Sequence, residues 1–241
     1  MAIYTSKTKI DLEDVGYSNK ITNKAILKIL ENAGARQSET IHFGLNDMEN
    51  VGFSWILLGW KVKILKRPIY NEELTINTWG RDSNRIFTYR DYEIYDESGK
   101  LCAIATSKWA IVDINTGKLR ELTPEIIEKY QCETKKVFEE DYTLKLKEPV
   151  TIIRKQEYKA QRRDIDINKH IHNLYYLDYA YEVLPEEVYE APECNNIEIM
   201  YKKQIRLNDE FKCLYTKEEN QNIVTMKSED ENTLHAIIKL Y

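Results

Sequence analysis

Two periodicities run along the chain. Trp60-Lys61-Val62-Lys63-Ile64 alternates apolar with polar residues, the period-two pattern of a half-buried strand. Leu74-Thr75-Ile76-Asn77-Thr78-Trp79 follows, then Arg85 to Tyr95, the turn Asp96-Glu97-Ser98-Gly99 and a long strand from Leu101 to Asp113. That turn chemistry predicts a hairpin, and Asn115-Thr116-Gly117 closes the set. Ahead of the strands, Asn23 to Ser38 reads as a helix. Ile26, Leu30, Ala33 and Gln37 share one face, with Leu27 and Gly34 beside it, and Thr22 or Asn23 can serve as N-cap. Ala33-Gly34 lets such a helix approach a sheet closely. One helix followed by antiparallel strands is an α+β pattern, a curved sheet wrapped over a helix.

The second half repeats this order. Lys20-Ile21-Thr22-Asn23-Lys24-Ala25-Ile26-Leu27 lines up with His170-Ile171-His172-Asn173-Leu174-Tyr175-Tyr176-Leu177. A helix to about Leu184 follows, with Leu174, Leu177, Tyr181 and Leu184 on one face, and Pro185 and Pro192 break the chain. Strands are expected at Ile197–Tyr201, Lys212–Thr216, Asn222–Ser228 and Leu234–Tyr241. Asn208-Asp209-Glu210-Phe211 corresponds to Asn71-Glu72-Glu73-Leu74. The expected organisation is an N-terminal unit over 1–125, a linker over 126–149 and a C-terminal unit over 150–241. The linker is charged, with Lys135-Lys136 beside Glu139-Glu140-Asp141. It is expected to drape over the surface with a short helix at Thr123–Tyr130.

Composition narrows the function classes. Hydrophobic residues make up 42% of the 241 positions and charged residues 31%, which is a globular mixture with a real core. The formal net charge of −5 argues against a bulk nucleic-acid binder. Cys102, Cys132, Cys194 and Cys213 lie far apart without a CxxC pair, so reduced thiols are expected. No run approaches the ~18 apolar residues of a membrane span, and the polar start MAIYTSKTKIDLED has no apolar signal core. The expected location is cytoplasmic.

The densest polar cluster is Arg162-Arg163-Asp164-Ile165-Asp166-Ile167-Asn168-Lys169-His170-Ile171-His172-Asn173. In an extended segment Asp166, Asn168 and His170 fall on one side and Ile165, Ile167 and Ile171 on the other. The stripe precedes a helix whose N-terminal amides favour negative charge. An imidazole can move a proton near neutral pH, a carboxylate can orient it, and an amide can donate to a carbonyl becoming an oxyanion. The same residue types also serve as ordinary caps and turn formers.

Asp-Ile-Asp-Ile-Asn-Lys-His-Ile-His-Asn-Leu-Tyr-Tyr-Leu resembles the catalytic segment of the acyl-ACP thioesterases of plants and bacteria. Trp60–Ile64, Arg85–Asp91 and Ala105–Asp113 resemble that family's N-terminal hot-dog. The resemblance implies a tandem, or double, hot-dog fold and hydrolysis of fatty acyl-ACP to a free fatty acid. It places the family's catalytic aspartate, asparagine and histidine on Asp166, Asn168 and His170. The family's glutamate falls on Gln204 of Tyr201-Lys202-Lys203-Gln204, which cannot act as a general base. A cysteine proposed as nucleophile in the family falls on Ile205, and the first of its paired asparagines is His172, the second Asn173.

The mechanism expected from this resemblance is direct attack of water on the thioester. His170 activates the water, Asp166 holds its ring, Asn168 and helix amides polarise the carbonyl, and Gln204 positions the water. The acyl chain is expected in an N-terminal tunnel, with Ile26, Leu30, Trp55, Leu57 and Trp60 as wall candidates. Each such residue is more often plain core. Acyl carrier protein is acidic, so Arg162, Arg163, Lys202, Lys203 and Arg206 are docking candidates, with a solvated charged face as the alternative. No metal or organic cofactor is implied, and a homodimer stays open. The competing expectations are a hot-dog acyl-CoA thioesterase and an acyl-binding protein whose catalysis has decayed, which Gln204 keeps in view.

Overall fold

The computed structural model describes residues 3–81, 84–140, 145–189 and 194–241. The chain divides into two compact units, Met1–Thr143 and Leu144–Tyr241. In the first, β1 (Tyr4–Lys9), β2 (Phe53–Ile64), β3 (Glu73–Gly80), β4 (Thr88–Tyr95) and β5 (Leu101–Asp113) form an antiparallel sheet ordered β1-β3-β4-β5-β2. The two-residue β6 (Leu119–Arg120) pairs with β5. Helix α1 (Asn23–Thr40) packs on this sheet; α2 (Met48–Val51) and α3 (Pro124–Tyr130) are short. In the second unit β7 (Arg154–Lys159), β8 (Asn196–Tyr201), β9 (Glu210–Glu218), β10 (Gln221–Ser228) and β11 (Leu234–Leu240) are ordered β7-β9-β10-β11-β8. Its helices are α4 (Tyr175–Val183) and the one-turn α5 (Glu186–Tyr189). Strand for strand the two orders match, so the repeat is real, and each unit is a hot-dog: the fold is the tandem one the resemblance implies.

Local chemistry explains the helices. The Thr22 hydroxyl accepts from the Ala25 N–H at 3.1 Å, capping α1. Ile26, Leu27, Leu30, Ala33 and Gly34 are buried against the sheet. A β-carbon at Gly34 would meet the Tyr92 hydroxyl at 3.0 Å and Arg90 Cδ at 3.2 Å, so glycine is what allows this approach. On α4 the expected face is rotated. Leu177 and Leu184 of that face are buried, but so are Tyr176, Tyr179, Ala180 and Val183 beside it, while Leu174 and Tyr181 are only half-buried.

Three further expectations need correction. Strands β1 and β7 went unforeseen: YTSKTK and RKQEYK carry polar residues on both faces, which strands at the end of a sheet tolerate. Residues 84–87 turn instead of extending, with the Asn84 side chain and carbonyl both accepting from the Phe87 N–H. The linker region is anchored rather than draped. Ile126 and Tyr130 of α3 are buried with Phe43, Phe53, Ile111 and Leu122. Beyond α3, the Lys135 carbonyl accepts from Trp79 Nε1 at 2.9 Å, Lys135 Nζ bonds Glu93 at 2.6 Å, and the Val137 N–H bonds Asp91 Oδ2 at 3.0 Å. Burial pushes the Asp91 carboxyl up, opposed by Thr106, the Val137 amide and Arg81. Asp141 of the linker and Pro192 lie outside the described residues. All four cysteines are free, and among the described residues no helix is long and apolar enough to cross a membrane.

Candidate active site

The segment expected to be extended is a tight turn. Ile165 bridges Ile171, the Asp166 N–H donates to the His170 carbonyl at 3.0 Å, and the Lys169 N–H donates back to the Asp166 carbonyl at 3.0 Å. Lys169 takes the left-handed conformation at φ 64°, and Asp166 Oδ1 accepts from the Asn168 N–H at 2.8 Å. The turn therefore does not spread three side chains along one side. It brings Asp166 Oδ2 to 3.7 Å from His170 Nδ1, with side chains only 12% and 22% exposed. Asn168 and Ile167 sit at the exposed tip. Among the described residues the Asn168 amide side chain makes no hydrogen bond.

His170 Nδ1 is 3.2 Å from the Ile171 carbonyl oxygen. That oxygen can only accept, so the contact holds the proton on Nδ1 and leaves Nε2 as the basic nitrogen. Across from this turn runs the chain leaving β8. Arg206 bridges His170, and the Ile171 N–H donates to the Ile205 carbonyl at 2.8 Å, which places Gln204 across from His172. Gln204 is exposed, and no hydrogen bond joins it to His170 or Asp166 among the described residues. His172 closes the turn leading into α4: its Nδ1 accepts from the Leu174 N–H at 3.3 Å and its carbonyl from the Tyr175 N–H at 2.9 Å. The Tyr175 amide that begins α4, expected to face substrate, is thereby taken, as is the Leu174 amide just before it.

Several supporting residues were not legible. Asp164, buried beneath the turn, accepts from the Tyr179 hydroxyl at 2.5 Å and the Gln161 N–H at 2.9 Å, while its carbonyl accepts from the His172 N–H at 2.8 Å. Tyr176 packs edge-on to Tyr201 with ring centres 5.3 Å apart, and burial pushes its phenol up against a hydrogen bond from the Ile205 backbone. His235 on β11 is buried, with Nδ1 2.9 Å from the Lys203 carbonyl under the segment that carries Gln204. Burial holds its imidazole below the usual histidine range. The first aspartate of Asp164-x-Asp166 was a signal for the first of these; a lone histidine at a strand start gave none.

The remaining candidates fall into two groups. Ile26, Leu30, Trp55, Leu57 and Trp60 all belong to the first unit. Four are buried, Trp60 against Tyr92 at 5.3 Å, and half-buried Trp55 stands edge-on to Tyr130 at 5.6 Å. Arg162, Arg163, Lys202, Lys203 and Arg206 are all exposed on the two segments that flank the turn. No group of three or more His, Cys, Asp or Glu that could hold a metal occurs among the described residues.

Known proteins match the whole chain. The acyl-ACP thioesterase N-terminal domain model matches residues 1–130, and the acyl-ACP thioesterase C-terminal domain model matches residues 147–239. Oleoyl-acyl carrier protein thioesterase 2, chloroplastic, of Arabidopsis thaliana is 24% identical over 92% of this chain. The oleoyl-acyl carrier protein thioesterase of Coriandrum sativum is 24% identical over 93%. The chain spans 65% of the length of each of these relatives. Among solved structures, an acyl-ACP thioesterase from Bacteroides thetaiotaomicron superposes with a TM-score of 0.86 at 23% identity, covering 99% of this chain and 97% of that one. The 12:0-ACP thioesterase from Umbellularia californica gives 0.84 at 16% identity, covering 100% and 96%. These likenesses establish the fold. With both family domains matched in order, the chain belongs to the acyl-ACP thioesterase family.

Proposed function

We propose that this protein hydrolyses the thioester of a fatty acyl group carried on acyl carrier protein. The approach of Asp166 to His170, within a chain matched by both family domains, is the observation that supports this most. His170 Nε2 takes a proton from water as the oxygen attacks the thioester carbon. The Asp166 carboxylate stabilises the imidazolium that forms. The tetrahedral intermediate collapses by expelling the carrier thiolate, which recovers the proton from His170. Asn168 offers its exposed amide to the substrate and Gln204 positions the water through hydrogen bonds. Ile26, Leu30, Trp55, Leu57 and Trp60 are proposed to hold the acyl chain.

One acyl chain presented on acyl carrier protein and on coenzyme A tests the carrier. Higher kcat/KM on the carrier protein is expected; equal or better turnover on coenzyme A would remove it as the substrate carrier. Gln204 supports a second reading, an acyl-binding protein without turnover. That reading stands if neither thioester is hydrolysed while acyl-ACP still binds.

Docking is proposed to use the exposed cations around the turn. Reversing Arg162, Arg163, Lys202 and Lys203 to glutamate should raise KM for acyl-ACP by about tenfold or more at low salt, as lost steering and complementarity do. A short carrier-free thioester should be hydrolysed almost as before. Equal losses on both substrates would place these residues in the site or the fold instead.

A further inference from the structure

The two units build the same turn, hydrogen bond for hydrogen bond. Gly16 N–H donates to the Lys20 carbonyl at 3.0 Å, as Asp166 does to His170. Ile21 N–H donates to Pro68 at 2.9 Å, as Ile171 does to Ile205 at 2.8 Å; Thr22 N–H donates to Asp14 at 2.9 Å, as His172 does to Asp164. Lys20 bridges Ile69 as His170 bridges Arg206, and Asn19 and Lys169 share the left-handed conformation. By this correspondence Arg67 is the counterpart of Gln204, and Asn23 the counterpart of Asn173.

What fills the two copies differs. In the first, Arg67 reaches into the turn: Nη1 donates to the Ile21 carbonyl at 2.9 Å and Nη2 to Asn23 Oδ1 at 2.7 Å. In the second, glutamine is shorter and uncharged, and the Ile171 carbonyl is met by His170 Nδ1 instead. The half-buried Asn173 side chain makes no hydrogen bond among the described residues. The positions that carry Lys20, Asn23 and Arg67 around the bonded guanidinium in the first copy carry His170, Asn173 and Gln204 in the second.

We infer that the thioester carbonyl of the substrate sits where the Arg67 guanidinium sits in the first unit, with Asn173 as its direct hydrogen-bond donor. The inference deepens the proposed function and rests on it for the identity of the guest. An amide carries both an acceptor and two donors, so the side chain that accepts from Arg67 in one copy can, turned over, donate to a carbonyl oxygen in the other. As negative charge grows on that oxygen the bond strengthens, which is how a donor accelerates acyl transfer.

The test uses the full chain with acyl-ACP and with a non-hydrolysable analogue in which an amide replaces the thioester and keeps the carbonyl. Asn173→Ala should lower kcat by about a hundredfold, with a much smaller change in KM, and weaken binding of the analogue. Gln204→Arg should recreate the first unit's arrangement: full thermal stability, no turnover and no analogue binding. The control Gln204→Met, which removes the water-positioning amide but brings no cation, should keep the parent's analogue affinity whatever its turnover. The inference is overturned if Asn173→Ala keeps the parental kcat and analogue affinity, or if Gln204→Arg binds the analogue as Gln204→Met does. A parent that binds the analogue without hydrolysing the thioester defeats the proposed function, while the affinities of the variants still decide this inference. A parent that neither binds nor hydrolyses defeats both.

Discussion

Replacing His170 with alanine should lower kcat on acyl-ACP by at least about a hundredfold, the usual contribution of a positioned proton acceptor. The side chain is partly exposed, and among the described residues its one hydrogen bond is to the Ile171 carbonyl. The backbone bonds that close the turn do not use it, so thermal stability should hold within a few degrees, read by calorimetry on the same sample. His170→Gln should be as inactive, since glutamine restores a donor to Ile171 and no base. An active His170→Ala enzyme would end the proposed mechanism, whatever Asp166 and Gln204 do.

Asp164→Ala should be the most damaging change near the site to stability. It strips the acceptor from the buried Tyr179 hydroxyl and from the Gln161 N–H. Leaving the buried Tyr179 hydroxyl unsatisfied costs about 1–3 kcal/mol and the part-buried Gln161 N–H adds less, so up to about 3 kcal/mol in total is expected. For a chain of this size that corresponds to a fall in Tm on the order of 10 °C. Asp164→Asn keeps one acceptor oxygen and should recover part of the loss. A Tm unchanged in Asp164→Ala would mean that Tyr179 finds water, and that the turn is held by its backbone alone.

The repeat, both principal helices and eight strands could be placed from the sequence because each rests on a strong local signal. The period-two runs, the Asp96–Gly99 turn and the Thr22 cap all act within a few residues. Strands β1 and β7 rest on pairing with β3 and β9, a partnership distant along the chain that their polar sequences do not announce. At the site, the residue types marked Asp166 and His170, but their geometry was misjudged. The turn depends on Lys169 adopting a positive φ, which lysine does not signal. The first unit puts Asn19 at the same place, and asparagine does signal it. The Asn173 position stands out in the sequence only through the family pattern; its physical counterpart is Asn23 bonded by Arg67, more than a hundred residues earlier in the chain.

The near-contact of Gly34 with Tyr92 and Arg90 sets a gauge for how function in this lineage can drift. A helix resting on a sheet with no clearance for even a methyl group cannot settle closer when a neighbouring side chain shrinks. If the first unit holds the acyl chain, shortening Leu30 or Trp60 leaves a void of lasting volume, and lengthening either removes that volume outright. Preference for acyl length would then move in discrete steps, one side chain at a time, and a single inherited substitution would suffice to redirect the products.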